Sequence, residues 1–187
     1  KTIGLIGGLS HESTLVYYKH INELIRQRLG DLNAAKILLD SLNFQEVTSL
    51  LYADKWDELD EMMINSALKL EKAGADCIMI ATNSIHPCAP AIKKRISVPF
   101  LHITDATAKE IQKRGLNKVA LFGTKFTMTG AFYKSYLKDN YDIDTLIPDA
   151  NDIEEISRVI YEELCKGQFK KSSKEFYLSV AQKLKSQ

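Results

Sequence analysis

The sequence predicts an α/β fold of two similar lobes, each a mostly parallel sheet flanked by helices and related by a pseudo-twofold axis. Short apolar runs alternate with amphipathic helical patterns along all 187 residues. The first run ends in paired glycines, and the second half of the chain repeats the opening of the first half. Ligands of such folds bind at the carboxyl ends of the strands, so we expect the site in a cleft between the lobes.

The chain opens with the pattern of a strand, a glycine loop and a helix. The apolar run from Thr2 to Gly7 is followed by Gly8, which predicts a buried strand and a tight turn. Further apolar residues then recur at helical spacing and predict an amphipathic helix along Leu15, Tyr18, Ile21, Ile25 and Leu29.

A strand, a helix and another strand come next. Residues 37–39 form an apolar run, a polar connection follows, and 59–70 has the spacing of an amphipathic helix that ends at Gly74. Residues 77–81 predict another buried strand, before a proline-punctuated loop and a short helix near Lys93.

The second half of the chain contains two further strand signals and two late helices. Residues 99–101 predict a crossing strand, and residues 119–122 predict a buried one. The last helices are predicted along Ile153, Ile156, Ile160 and Leu164 and along Phe176, Val180 and Leu184.

An internal repeat supports the division into lobes. Residues 118–123 resemble residues 2–7, and a helical pattern follows each segment. We therefore expect an N-terminal lobe over 1–98 and a C-terminal lobe over 99–187, the second incomplete at its C-terminal end.

Composition argues against several classes of function. Lys plus Arg number 25 against 24 Asp plus Glu, which gives no field that would gather nucleic acid or an anionic membrane surface. The apolar runs are too short to span a membrane. The three cysteines, Cys77, Cys88 and Cys165, fit neither a disulfide framework nor a zinc site. We expect a cytoplasmic protein without nucleic-acid or membrane partners.

The best candidate site follows the strand predicted over 77–81. Thr82, Asn83 and Ser84 place small polar side chains where loops of α/β sheets present groups to ligands. Such residues are also frequent in turns for conformational reasons, and that interpretation is at least as good on these residues alone. Of the four histidines only His86 lies beside this loop, and the four show no metal-ligand spacing.

The glycine loop is a second candidate. Gly8, Leu9 and Ser10 precede a helix, so backbone N–H groups there suit a carboxylate, and Thr124 and Thr127 repeat the arrangement in the second lobe. Alternatively, Ser10 only caps the helix. The glycines lack the G-x-G-x-x-G spacing, so a nicotinamide cofactor is not expected.

Several motifs, in this order and spacing, resemble the aspartate/glutamate racemase superfamily. They are the opening from Lys1 to Ser10, Gly74-Ala75-Asp76, and Thr82-Asn83-Ser84-Ile85-His86. Residues 99–107 and 162–169 look like the bacterial broad-specificity branch that acts on L-aspartate and L-glutamate. The likeness covers the whole sequence.

The resemblance implies a homodimeric racemase without pyridoxal phosphate, metal or other cofactor. Two acid/base residues would face each other across the substrate α-carbon, and both are cysteines in most of the superfamily. The first position is Thr82 here, as in the broad-specificity branch. Where aspartate-specific relatives have a basic residue, this chain has Cys165, with Lys166 as an alternative. The resemblance also implies substrate-binding roles for Leu9, Ser10, Asn83, Ser84, Thr124 and Thr127.

Other interpretations stay open on the sequence. Hydantoin racemases, maleate isomerases and arylmalonate decarboxylases belong to the same superfamily, and a non-catalytic protein that binds an amino acid or a dicarboxylate is a further alternative. Counting along the internal repeat, we expect the second catalytic residue, a cysteine, about eleven residues beyond Gln187 in a longer translated protein.

Overall fold

The computed structural model describes residues 1–186. The chain separates into two compact units, an N-terminal unit over Lys1–His102 and a C-terminal unit from Ile103 onward. Each unit has its own sheet, every strand pair is parallel, and helices flank both sheets. The predicted α/β fold class is therefore confirmed. Within residues 1–186, no helix is long and apolar enough to cross a membrane.

The sheet of the N-terminal unit has three strands, β1 (Thr2–Gly7), β2 (Lys36–Ser41) and β3 (Cys77–Ile80). Their order is β2-β1-β3, so the first strand of the chain is the central one. A central parallel strand is covered on both faces, which is why its sequence is continuously apolar and why Leu5 and Ile6 are fully buried.

Four helices belong to the N-terminal unit, and one of them replaces a predicted connection. Residues 44–52 form a helix that buries Val47 and Leu51. The sequence pattern predicts a polar connection at this place. The side chain of Asn43 caps it by accepting a hydrogen bond from the backbone N–H of Gln45. The four are α1 (His11–Leu29), α2 (Phe44–Tyr52), α3 (Trp56–Lys72) and α4 (Ala89–Lys93).

The crossing strand predicted over 99–101 is reduced to a single bridge. Ile78 in β3 donates its backbone N–H to Pro99 at 2.9 Å and accepts one from Leu101 at 2.8 Å, and this pairing does not extend further. The backbone of residues 99–101 therefore follows the edge of the sheet only briefly before the N-terminal unit ends.

Helix α1 begins and ends close to the predicted positions, but of its predicted apolar residues only Ile21 and Ile25 are partly buried. Leu15, Tyr18 and Leu29 are 59%, 53% and 63% exposed within the described chain, and Thr14 is the buried residue of the helix. Helical spacing therefore predicted the helix correctly but predicted the wrong buried face. The buried residue is the polar Thr14, whose hydroxyl bonds the backbone of Gly8 at the end of β1.

The C-terminal unit is built around a two-stranded sheet. The strand predicted over 119–122 begins at Lys118, and both Lys118 and Ala120 are exposed, so it is not a buried strand. Its parallel partner, over 144–146, was not predicted. The elements are α5 (Ile103–Lys113), β4 (Lys118–Ala120), α6 (Lys125–Thr129), α7 (Ala131–Tyr141), β5 (Asp144–Leu146), α8 (Ala150–Glu162) and α9 (Lys171–Lys185).

Two apolar clusters stabilise the C-terminal unit. The predicted faces of α8 and α9 meet α6 in the first cluster, and the second joins α5 and α7, with Leu121 packed against both. The buried members are Met128, Ile153, Ile156, Val180 and Leu184 in the first and Ala108, Tyr133, Leu137 and Ile143 in the second. Helix α8 ends at Glu162, so Cys165 lies in the following 3-10 turn, Leu164–Lys166, rather than at the helix end.

Candidate functional site

The glycine loop between β1 and α1 requires its second glycine. Gly8 has a φ of +78°, and a Cβ built on it would lie 2.2 Å from the carbonyl oxygen of Leu42. The N–H of Leu42 also donates to the carbonyl of Gly7 at 3.0 Å, which draws the chain after β2 against the loop. Only a residue without a side chain fits this close backbone approach.

Thr14 holds the loop in shape from the first turn of α1. Its hydroxyl accepts a hydrogen bond from the N–H of Gly8 and donates one to the carbonyl of Ser10, both at 2.9 Å. Its methyl group occupies the space beside Gly7, where an added Cβ would lie 2.6 Å from the Cγ2 atom. The loop geometry therefore depends on Thr14, which the sequence analysis did not identify.

Leu9 and Ser10 are both buried at the start of α1. Ser10 occupies the N-cap position in extended conformation, but its side chain makes no capping hydrogen bond. The interpretation that Ser10 serves only as a helix cap is therefore wrong. Its hydroxyl and the first N–H groups of α1 lie together at the carboxyl end of β1, where the helix dipole favours a carboxylate.

The segment after β3 is tied to the same region. The backbone N–H of Ala81 donates to the carbonyl of Ile6 at 2.9 Å. The single hydroxyl proton of Ser13 is shared between the carbonyls of Ser10 and Ala81, which lie 2.9 and 3.0 Å from its oxygen. One side chain of α1 thus joins the glycine loop to the residue immediately before Thr82.

Thr82, Asn83 and Ser84 leave the end of β3 as predicted. Thr82 and Asn83 are half-buried and Ser84 is buried. Because β1 and β3 are adjacent and parallel, their carboxyl ends lie at one edge of the sheet. The structure therefore brings the predicted residues of the N-terminal unit, Leu9, Ser10, Thr82, Asn83 and Ser84, to the same edge.

A pair of buried histidines lies next to this segment. The ring of His86, in the 3-10 turn after Ser84, is 4.8 Å from the ring of His102 and 6.2 Å from that of Phe100. Burial lowers the pKa of His86 to about 3, with a further contribution from the charge on His102 when protonated. His86 is therefore a neutral imidazole at physiological pH.

Thr124 and Thr127, the predicted residues of the C-terminal unit, lie at the start of α6. Thr124 is the N-cap residue, and its hydroxyl accepts from the N–H of Thr127 at 3.4 Å and lies 3.3 Å from the Thr127 hydroxyl. A Cβ added to Gly123 would lie 2.9 Å from the Cγ2 atom of Thr127. The corresponding Cβ on Gly7 would lie 2.6 Å from the Cγ2 atom of Thr14. The repeat is inexact, because the helix breaks at Gly130 into α6 and α7, whereas α1 is continuous.

The cysteines within residues 1–186 are all free. Burial raises the pKa of the Cys77 thiol, and burial together with a hydrogen bond to Asp60 raises that of Cys88. Neither thiol is prepared to act as a base at neutral pH. The described residues include no group of three or more His, Cys, Asp or Glu side chains that could hold a metal.

A buried carboxylate organises the turn that contains Cys165 and Lys166. Glu163 accepts hydrogen bonds from Ser173 at 2.6 Å and Arg158 at 2.9 Å, and Lys170 lies 3.4 Å away. The hydrogen bond from Ser173 makes the largest contribution to a lowered pKa of Glu163. A cavity of about 440 Å³ lies beside this cluster, and its lining residues, which include Lys170 and Ser173, contain none of the predicted substrate-binding residues.

Comparison with known proteins identifies the family to which the chain is similar. Residues 6–187 match the family model of Asp/Glu/hydantoin racemases. A broad-specificity amino-acid racemase of Bacillus subtilis, RacX, is 31% identical over 141 residues, which is 74% of this chain and 61% of that protein. The chain thus spans less than two thirds of this relative.

Two crystal structures are similar over the whole chain. A Yersinia pestis protein provisionally named an Asp/Glu racemase is 40% identical with a TM-score of 0.90, and this chain covers 81% of it. An aspartate racemase homologue from Pyrococcus horikoshii is 36% identical with a TM-score of 0.84, and this chain covers 80% of it.

Proposed function

Since this chain belongs to the Asp/Glu/hydantoin racemase family, we propose that it acts as a cofactor-independent racemase that interconverts the L and D forms of aspartate and glutamate. One observation carries the proposal. The Ser13 hydroxyl in the first turn of α1 bonds the carbonyl of Ala81, the residue before Thr82, so a hydroxyl proton donor follows directly on a link to the helix start that suits a carboxylate.

The proposed reaction uses two groups on opposite faces of the α-carbon, because a single base tends to restore the original hand. For the L-isomer, the second base, which the superfamily resemblance implies is a cysteine thiolate, takes the α-proton as the C–H bond breaks. The hydroxyl of Thr82 then gives its proton to the opposite face. Solvent replaces the proton on Thr82 and removes the one on the cysteine, so the enzyme returns to its starting state.

The direction of proton transfer follows from the acidity of the two groups. A thiol has a reference pKa of about 8.5 and is readily tuned to a thiolate, whereas a threonine hydroxyl is a much weaker acid and a poor base precursor. Asn83 and the N–H groups of the glycine loop would stabilise the anion formed after proton removal, with Ser10 and Ser84 as further polar contacts to the substrate. Thr124 and Thr127 are proposed to bind the substrate from the C-terminal unit.

A homodimer is proposed from the exposed apolar surface of α1. Leu15, Val16, Tyr18 and Leu24 are each more than half exposed on a single helix within the described chain. Exposed apolar surface on a protein often marks an interface with another protein. Sedimentation velocity of the full-length protein should give a dimer, and Tyr18→Glu should shift it toward the monomer.

Proton exchange in heavy water tests the proposed activity. The full-length protein that contains this chain is incubated with L-aspartate or L-glutamate in D₂O, and the α-proton is followed by NMR together with formation of the D-isomer. We expect loss of the α-proton signal and a racemic end point, with Thr82→Ala at least about 100-fold slower to racemise. Binding without exchange would instead identify a non-catalytic amino-acid-binding protein and overturn the proposal.

A further inference from the structure

The cavity beside the Glu163 cluster has no part in the proposed reaction. Its volume of about 440 Å³ falls within the range of small-molecule sites. Its walls come from the end of α8, the turn that follows and the first two turns of α9. None of the residues proposed to contact the amino-acid substrate lines it. The cavity is therefore a candidate for a second, separate site.

The walls of the cavity are largely apolar. Leu164, Phe169 and Tyr177 line it together with Val159, which is almost fully buried. The side chain of Phe169 is 80% exposed within the described chain, so its ring lacks the free energy that burial against another apolar group would supply. A lining of this kind is typical of sites that hold the apolar body of a small molecule.

The charged residues that line the cavity all carry the same sign. They are Lys170, Lys171 and Lys174, and no Asp or Glu lies among the lining residues. The ammonium group of Lys170 is 3.4 Å from the buried carboxylate of Glu163. That of Lys171 is 3.6 Å from Glu175, but both of these side chains are mostly exposed, where an ion pair contributes little. Within residues 1–186, Lys174 makes no ion pair. The cavity therefore attracts anions.

The placement of these lysines works against the stability of α9. A helix N-terminus carries a partial positive charge, so acidic residues stabilise the first turn and basic residues destabilise it. Lys171 and Lys174 lie in the first turn of α9, which holds no acidic residue, and the N-cap, Lys170, makes no side-chain capping hydrogen bond. An anion bound in the cavity would offset this cost, because it would meet the lysines and the first N–H groups of α9 together.

We propose that the cavity is a second ligand site, which binds a monocarboxylic acid with an apolar body. The carboxylate contacts the lysines at the start of α9, and the apolar body packs against Leu164, Phe169 and Tyr177. Aspartate and glutamate have no apolar body to cover these walls, so the substrate of the proposed reaction is not expected here. The inference does not depend on the proposed function, because the two sites share no residue.

Calorimetric titration of the full-length protein with decanoate tests the site. We expect saturable binding that excess L-glutamate does not displace. Octanoate, which is shorter by two methylene groups, should bind about 10-fold more weakly. Decylamine, which has the same chain and the opposite charge, should not bind. If decanoate does not bind, binds no better than decylamine, or is displaced by L-glutamate, the inference is wrong, whether or not the protein racemises amino acids.

Two variants locate the binding in this cavity, and both change exposed side chains, so the fold should be kept. Phe169→Ser should weaken decanoate binding about 10-fold by removing apolar contact. Lys174→Glu should weaken it about 5-fold by reversing a charge beside the carboxylate. The matched control is Lys109→Glu, which makes the same change of charge at an exposed position of α5 that does not line the cavity. Parent affinity in both cavity variants, or an equal loss in Lys109→Glu, would overturn the assignment.

Discussion

The hydroxyl of Ser13 donates a hydrogen bond to the backbone carbonyl of Ala81, at 3.0 Å. Ser13 lies in the first turn of α1, and Ala81 immediately precedes Thr82. The same hydroxyl also contacts the carbonyl of Ser10 at 2.9 Å. The two candidate loops of the N-terminal unit are therefore linked by one small side chain rather than by the sheet alone.

Removing this link should weaken catalysis more than stability. For Ser13→Ala we expect a loss of about 1 kcal/mol in the free energy of unfolding, and a fall in kcat of about 10-fold because Thr82 is displaced. Urea unfolding can be followed by the fluorescence of Trp56, which lies in the same unit. The control is Ser179→Ala in α9. Like Ser13, Ser179 bonds the carbonyl three residues earlier in the chain, but it is exposed, so its removal should leave kcat unchanged.

Adding a methyl group to Gly8 should destabilise the N-terminal unit severely. The new Cβ would meet the Leu42 carbonyl at 2.2 Å, whereas at Gly30, which has nearly the same φ of +77°, it would meet nothing within 4 Å. We expect Gly30→Ala to cost about 1–3 kcal/mol from backbone strain alone, and Gly8→Ala about 1–3 kcal/mol more than that from overlap with Leu42. Equal urea midpoints for the Gly8→Ala and Gly30→Ala variants would contradict this prediction, because they would show that the backbone at Leu42 moves aside without a cost in stability.

Turnover should be faster from L to D than from D to L. Thr82 would have to act as a base in the reverse direction, and its hydroxyl is poorly suited to that. The enantiomers have equal free energy, so a lower kcat from the D side requires a proportionally lower KM. Thr82→Cys should narrow the difference in kcat. Circular dichroism assays started from each enantiomer measure the two kcat values. Equal kcat values in the parent would argue against Thr82 as the proton donor in the L-to-D direction.

Activity should need neither a metal ion nor pyridoxal phosphate. The proposed proton transfers use side-chain hydroxyl and thiol groups with backbone N–H groups, so neither a Lewis acid nor an electron sink is required. The full-length protein should keep its racemase rate after dialysis against EDTA and after treatment with hydroxylamine. A rate restored only by adding back metal or pyridoxal phosphate would contradict the two-base proposal.

The Glu163 cluster should make the C-terminal unit sensitive to acid. Ser173, Arg158 and Lys170 lower the pKa of Glu163, so the carboxylate contributes stability above its unfolded pKa, and this contribution is lost as the pH falls through the folded pKa. Glu163→Gln should therefore speed amide exchange in α8 and α9 at pH 7, with the difference from the parent shrinking below about pH 4. Glu162→Gln changes an exposed neighbour that also pairs with Arg158 and should have a smaller effect.

The apolar periodicity predicted correctly the helices that bury the apolar face of their own sequence, such as α8 and α9. The apolar spacing of α8 and α9 gives their buried faces directly, because each helix packs on its predicted stripe. The same reasoning failed for α1, where Leu15 and Tyr18 are exposed and Thr14 is buried. Spacing records that a face is apolar but does not record which neighbour covers it. Helix α2 was missed because it is only 9 residues long, and its buried residues, Val47 and Leu51, are a single helical turn apart.

Only those residues of the candidate site that directly follow a predicted strand could be identified from the sequence. The rule that parallel strands present their carboxyl ends at one edge located Thr82 and Ser10. It could not reveal Ser13, which reaches its partner across 68 residues of sequence, or the pairing of His86 with His102. A signal was present for Thr14, since two hydroxyl residues follow the glycine loop within the first helical turn.

The contacts of Gly7 with Thr14 and of Gly123 with Thr127 constrain how this sequence can vary. In each pair the threonine methyl group occupies space that a Cβ on the glycine would need, at 2.6 and 2.9 Å, and at Gly7 the end of the flexible Leu39 side chain, at 2.7 Å, must also shift. A change to alanine at the glycine should be tolerated best when serine replaces the threonine, since serine keeps the hydroxyl and gives up the methyl group. In a library randomised at both positions, surviving clones should therefore show epistasis, with alanine and serine selected together and alanine with threonine depleted.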